Sequence, residues 1–284
     1  MDRFHFTAAL LLLVSLSGCA SLISSATQKM ADNLSLAMSN QNDLETVKSG
    51  APAYLIMIDS LIEGDEENVS LLLAGSKLYA SYTSAFVENE TRSKRLADKS
   101  LTYARRALCI DLPELCQNLD SKLDEIQPQI DRVEKDQQPL LYGYASAWAS
   151  WIQVNTDDWN ALAQLPKLTA MFQHSLALDE TYDSGGAHLY LGVLSSQIPP
   201  SLGGKPEQGR AHFEKAQILS EGKNLMVNVL FAEFYTRLVF DQELHDKLLK
   251  AVLSANGEEP GLTLVNTLAK QRAKLLLAES SDFF

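Results

Sequence analysis

Apolar residues recur at three- and four-residue steps along almost the whole chain. Between Asn68 and Phe86 the positions Leu71, Leu72, Leu78, Tyr79, Tyr82 and Phe86 keep that spacing, which gathers them on one face of an α-helix. No segment longer than a few residues alternates apolar and polar, as a half-buried strand would. Turn-forming residues break the pattern at Glu63-Gly64-Asp65, Ser184-Gly185-Gly186, Pro199-Pro200, Leu202-Gly203-Gly204 and Asn256-Gly257. The pattern predicts an all-α protein.

A longer period is superimposed on the helical one. Small or apolar residues at i, i+4 and i+7 occur as Ser100/Ala104/Ala107, Leu168/Phe172/Ser175, Gly209/Phe213/Ala216 and Leu244/Leu248/Ala251. Their last members are 68, 41 and 35 residues apart, against about 34 for a tetratricopeptide repeat. The first-helix signature of such a repeat is visible once, as His188-Leu189-Tyr190-Leu191-Gly192. This predicts a tetratricopeptide-like bundle with degenerate repeats. A generic helical bundle gives similar spacing.

The N-terminus follows a different logic. Met1-Asp2-Arg3 precedes an apolar run from Thr7 to Ser17, which closes on Leu16-Ser17-Gly18-Cys19. The run is too short to span a bilayer, which takes about 20 residues, and its layout is that of a secretory signal. The last four residues resemble a bacterial lipobox, in which small residues enter a peptidase cleft and the Cys sulfur carries the lipid. The expected organisation is a signal peptide over 1–18, a lipidated tether and first helix over 19–40, and one helical domain over 41–284. Ala20 rather than Asp after the lipidated Cys19 points, by analogy with envelope sorting, to the periplasmic face of the outer membrane.

Charge and cysteines narrow the partners. A formal charge of −12 disfavours nucleic acid and anionic lipid surfaces. With Cys19 lipidated, Cys109 and Cys116 remain, and an even pair in an oxidising compartment suggests a disulfide. Seven residues of continuous helix would separate them by about 10.5 Å, so the chain must turn between them. Asp111 as an N-cap and Pro113 in the next first turn supply the turn. Two buried free thiols at a helix corner are the alternative.

Chemistry-bearing motifs are absent. There is no Gly-x-Ser-x-Gly, His-Glu-x-x-His, P-loop or dinucleotide glycine pattern, so no enzyme activity, metal or cofactor is expected. His174, His188, His212 and His245 lack metal-pair spacing, and most of them are expected on the surface or at caps. Tyr142, Tyr144, Trp148 and Trp151 share one predicted helix, and Trp159, Tyr182, His188 and Tyr190 follow in neighbouring elements. These aromatics suit either an ordinary core or the lining of a cavity for a small hydrophobic ligand. Lys205 is a candidate contact for an anionic ligand or partner.

Ordered motifs add a family resemblance. Ala51-Pro52-Ala53-Tyr54-Leu55 is followed by Leu71-Leu72-Leu73, Tyr103-Ala104-Arg105-Arg106-Ala107-Leu108 and Pro139-Leu140-Leu141-Tyr142-Gly143. Then come Trp148, Trp151-Ile152, Asp158-Trp159, Leu176-Ala177-Leu178-Asp179, Gly185-Gly186-Ala187-His188-Leu189-Tyr190-Leu191-Gly192 and Gly203-Gly204-Lys205-Pro206-Glu207. Asn266 and Ala269 close the series. Over roughly residues 40–278 this resembles the T component of tripartite ATP-independent periplasmic (TRAP) transporters. The resemblance implies a helical periplasmic scaffold that associates with the transporter's solute-binding protein and holds an internal ligand cavity. Self-association is compatible with it. A stand-alone carrier of a small hydrophobic molecule and an outer-membrane assembly scaffold are the alternatives.

Overall fold

The computed structural model describes residues 29–30, 33–197, 199–202 and 204–284. The signal region, Cys19 and Gly203 lie outside them. The described residues are helical with no strand, as the apolar spacing predicts, and none of their helices is long and apolar enough to cross a membrane.

A short helix over 33–39 precedes α1 (Leu44–Gly64), α2 (Val69–Phe86) and α3 (Glu90–Asp111). Each of these three starts where a side-chain oxygen accepts an otherwise unpaired backbone N–H. Asp43 accepts from Glu45 at 3.0 Å, Asn68 from Leu71 at 3.1 Å and Asn89 from Arg92 at 2.9 Å. Two short helices follow, α4 (Pro113–Gln117) and α5 (Leu123–Ile130). Next come α6 (Gln138–Val154), α7 (Trp159–Leu162), α8 (Leu165–Leu178), α9 (Gly186–Ser195) and α10 (Pro206–Leu219). Helix α11 (Met226–Leu230) runs through a π-helical segment, Phe231–Thr236, into α12 (Arg237–Val239). The chain ends with α13 (Gln242–Ser254), α14 (Thr263–Ala278) and α15 (Ser280–Phe283).

Successive helices pack as neighbours: α1 on α2, α2 on α3, both on α6, then α6 on α8, α8 on α9 and α9 on α10. The π segment and α11 lie against α13 and α14, and α14 returns to touch α1. The Asn40 carboxamide oxygen accepts from Gly261 N at 2.6 Å, and Asn42 donates to Glu258 at 3.3 Å. One apolar core fills α1 to α9, around Leu72, Leu108, Leu141 and Phe172. A second, around Phe213, Phe231, Leu249 and Ala273, fills α10 to α14. Asn266, fully buried, locks the loop before α11 to α14 by accepting from Leu225 N at 2.9 Å and donating to Lys223 O at 2.9 Å.

The i, i+4, i+7 faces over Ser100/Ala104/Ala107, Leu168/Phe172/Ser175 and Gly209/Phe213/Ala216 are all buried. Small residues there let helices approach. Gly192 of α9 lies under the Phe213 ring, where an added Cβ would meet three ring carbons at 2.9–3.0 Å. The fourth face departs from expectation. Ala251 is exposed and Leu244 half-buried, while His245, Leu249 and Val252 are fully buried. Helix α13 is rotated by about one residue because its larger apolar side chains, not a small one, meet the π segment and α14.

Two boundaries also differ from the sequence reading. Helix α1 continues through Gly64, and its cap is Asp65. Helix α3 runs on to Asp111, so Leu112 rather than Asp111 precedes α4. The reason is local: Leu112 N donates to Leu108 O at 2.7 Å and completes the last turn of α3. Pro113 then opens α4, and Cys109 and Cys116 are joined as a disulfide across the corner, with Cα atoms 5.0 Å apart.

Candidate functional site

Part of the predicted aromatic set forms one cluster. Tyr142 of α6 meets the rings of Phe172, Tyr182 and Tyr190 edge-on, with centroids at 5.9, 5.2 and 6.1 Å. Phe172 and Tyr190 stack at 4.5 Å. The Tyr142 hydroxyl donates to Asp183 at 2.7 Å, and burial, then Tyr190 and Asp183, push its pKa well above the ordinary phenol value. The chain makes room with two glycines: Gly185 takes a left-handed φ of +82°, and a Cβ on Gly186 would collide with the Tyr142 hydroxyl. Asp183 and Ser184 also hold positive φ, at 50° and 54°.

The other predicted residues lie elsewhere. Trp148 is buried against Tyr144, centroids 5.6 Å apart. Lys167 Nζ lies 5.7 Å from the Trp148 ring and donates to Leu119 O at 2.7 Å and Ser121 O at 3.0 Å. Burial pulls the Lys167 ammonium below its ordinary pKa. Trp151 is half-buried and donates its indole N–H to Asp98 at 2.6 Å. Trp159 is 83% exposed at the first turn of α7, and Lys205 is exposed at the start of α10.

Contrary to a surface or cap placement, none of the four described histidines is exposed. Each has found a polar partner inside. His174 Nε2 lies 2.8 Å from Val133 O, and fully buried His245 pairs with Asp246 at 3.1 Å. His188 Nδ1 and His212 Nδ1 are 2.9 Å apart across the α9–α10 contact, so one ring donates and the other accepts. His188 Nε2 faces Glu180 at 3.6 Å, and Glu180 also meets Lys215 at 3.2 Å. Burial lowers both histidine pKa values, with Glu180 opposing the shift at His188. No group of three or more His, Cys, Asp or Glu among the described residues could hold a metal ion.

Two concavities lie away from the aromatic cluster, and none of the predicted ligand residues lines either. One, of about 450 Å³, is open to solvent beside Cys109 and is walled by Glu66, Glu67, Arg105 and Arg106. The other, of about 220 Å³, lies between α2, α3, α6 and α14, with Thr83, Ser84, Ser93, Ser150, Gln153 and Arg272 on its walls. Arg272 is held in place by Glu233 of the π segment, at 2.6 Å. Glu233 Oε2 is buried and has no protein partner, so the carboxylate grips the guanidinium through one oxygen. Sequence reading misses this site because its walls come from four distant helices. The one local signal is an Arg between two small core residues, Ala269 and Ala273.

A family model for the TRAP transporter T-component matches residues 40–284. The chain belongs to that family. Membership carries an association with a TRAP transporter, and the match begins just before α1 and takes in every helix from α1 to α15. No curated protein matches the chain. In this T-component the aromatic cluster, the histidine pair and the Arg272 groove are thus features of a transporter-associated helical protein.

Proposed function

We propose that this T-component is anchored through lipid on Cys19 to the periplasmic leaflet of the outer membrane. There its tetratricopeptide-like helices dock the transporter's solute-binding protein and hold a small ligand exchanged with it. The observation that carries the reading is the family match over residues 40–284. The lipobox-like Leu16-Ser17-Gly18-Cys19 and the Ala20 that follows it support the anchor. The run of helices that pack as sequential neighbours supports docking, because stacked helical pairs leave extended surfaces for partners.

The test is direct binding between the mature chain and the solute-binding protein of its TRAP transporter. Micromolar affinity that weakens with added salt is expected, since a chain of charge −12 steers a complementary partner electrostatically. Two folded partners that fail to associate at low salt would refute the scaffold. The second reading, a stand-alone carrier of a small hydrophobic molecule, predicts ligand binding without docking. For the anchor, Cys19→Ser should leave a soluble or unprocessed protein; a cleaved variant that still fractionates with membranes would refute lipidation.

A further inference from the structure

Three phenylalanines, one just past α12 and two at the end of α15, form an aromatic patch on the surface. The Phe240 ring stacks on Phe283 and meets Phe284 edge-on, both with centroids 5.9 Å away, and Phe283 meets Phe284 at 5.0 Å. Phe240 is 68% exposed and Phe283 42%. We propose that this patch docks the solute-binding protein, through a surface of that partner that is apolar at its centre and carries arginine or lysine at its rim. This rests on the docking part of the function proposed above and names the surface used.

The backbone at Phe240 is the sharpest observation. Asp241 N donates to Thr236 O at 2.9 Å and closes the end of α12, and Phe240 takes the left-handed region there, at φ 59° and ψ 41°. Glycine is the usual occupant just past a helix end, because it has no Cβ to crowd the neighbouring carbonyl. A bulky residue in that conformation is an outlier. The fold gains little in return, since most of Phe240 remains in water. An aromatic ring kept strained and exposed is accounted for by contacts made outside the chain, and contiguous exposed apolar patches mark such contacts.

Charge selects the occupant. Asp241 adjoins Phe240 and Asp282 adjoins Phe283, and neither acid has an ion-pair partner among the described residues. Arg237 lies 4.5 Å from the Phe283 ring and is bound to Glu279 at 3.4 Å. Phe284 packs on His245, whose partner Asp246 is bound to Lys250 at 3.5 Å. The rim therefore carries four acids and two cations, and both cations are already paired. Such a rim repels anionic lipid and attracts a basic protein surface. Arginine suits it on two counts, because a guanidinium stacks on an aromatic face and pairs with a carboxylate.

Position agrees with charge. The tie between Asn40 and Gly261 lies at the start of α14, and α15 with its phenylalanines follows the other end. The 16 residues of α14 separate the two by about 24 Å. The patch is thus on the side of the domain away from the entry of the N-terminal tether, where a partner in the periplasm can reach it.

The experiment measures binding of the full mature chain to the solute-binding protein by calorimetry at low salt. Phe240→Gly should lower the affinity about tenfold or more, as loss of a hot-spot aromatic does. Asp282→Lys keeps all three rings at an exposed position; it should weaken binding about threefold or more and flatten its salt dependence. Both variants are required to melt cooperatively, which the glycine favours by relieving the left-handed strain. Trp159→Ser, at the exposed Trp of α7, should leave the affinity unchanged. Unchanged affinity in both folded variants, or an equal loss with Trp159→Ser, would overturn this inference alone and leave docking to another surface. So would an oligomer of the unmodified chain that Phe240→Gly dissociates in sedimentation, which makes the patch a contact between copies. Binding to vesicles of phosphatidylethanolamine and phosphatidylglycerol that Phe240→Gly abolishes would overturn it as well, in favour of lipid. An unmodified chain that does not bind the solute-binding protein removes the docking reading itself, and this inference with it.

Discussion

Replacing Gly192 by Ala tests whether the α9–α10 contact is as tight as the structure has it. Two effects oppose each other. Alanine in a helix interior is favoured over glycine by about 1 kcal/mol. Against that, the new Cβ would lie 2.9–3.0 Å from Cδ1, Cε1 and Cγ of Phe213. Phe213 cannot yield cheaply, being fully buried and stacked on Phe231 with centroids 5.0 Å apart. Overpacking of this kind costs about 2–3 kcal/mol, so the net effect is a loss of about 1–2 kcal/mol once the helical gain of about 1 kcal/mol is subtracted. Gly50, inside α1, is the internal control, because nothing lies within 4 Å of its added Cβ. There Gly50→Ala should stabilise by about 0.5–1 kcal/mol. Urea denaturation of both variants reads the difference, and in a thermal melt each kcal/mol moves Tm by about 2–4 °C. If Gly192→Ala proves as stable as Gly50→Ala, the helices do not meet at van der Waals contact there.

Removing the Cys109–Cys116 link by replacing both with Ser should cost about 2–3 kcal/mol, the loop-closure entropy of so short a loop. Mass spectrometry that finds both thiols alkylated without reduction would contradict the bond itself. The His188–His212 pair predicts an acid-sensitive contact. Both pKa values are lowered by burial from 6.5, so the unfolded chain takes up these protons first. Stability is therefore full above pH 6.5 and falls as pH drops from there through the lowered folded values. His212→Gln should flatten the fall in Tm between pH 7.5 and 5; a curve parallel to that of the unmodified protein would show that the pair does not titrate.

What could be read from the sequence was what lies within one helix. The faces over Ser100/Ala104/Ala107 and Leu168/Phe172/Ser175 were legible because spacing of three and four residues determines which side chains share a side. The same rule could not fix α13, where Leu244/Leu248/Ala251 and His245/Leu249/Val252 both satisfy it, and only packing against the π segment decides between them. Nor could it say what an aromatic face meets. Tyr142 and Trp148 sit on one helix, yet the first joins Tyr182 and Tyr190 while the second is covered by Tyr144 and Lys167. The Arg272 groove was illegible for a plainer reason: Thr83, Ser150 and Arg272 become neighbours only when α2, α6 and α14 come together in the folded chain.

The return of α14 to α1 has a consequence for how the protein assembles. A helical array in which each element touches only its neighbours can form progressively, each helix settling on the one before it. The ties from Asn40 to Gly261 and from Asn42 to Glu258 span 221 and 216 residues, and such long-range closures come late because the loop entropy must be overcome first. The N-terminal helices can therefore be in place while Thr83, Ser93 and Ser150 still face open water. Arg272 arrives only when α14 docks, so the groove is absent from every intermediate that lacks that helix, and a chain arrested before closure would carry its N-terminal core without that groove.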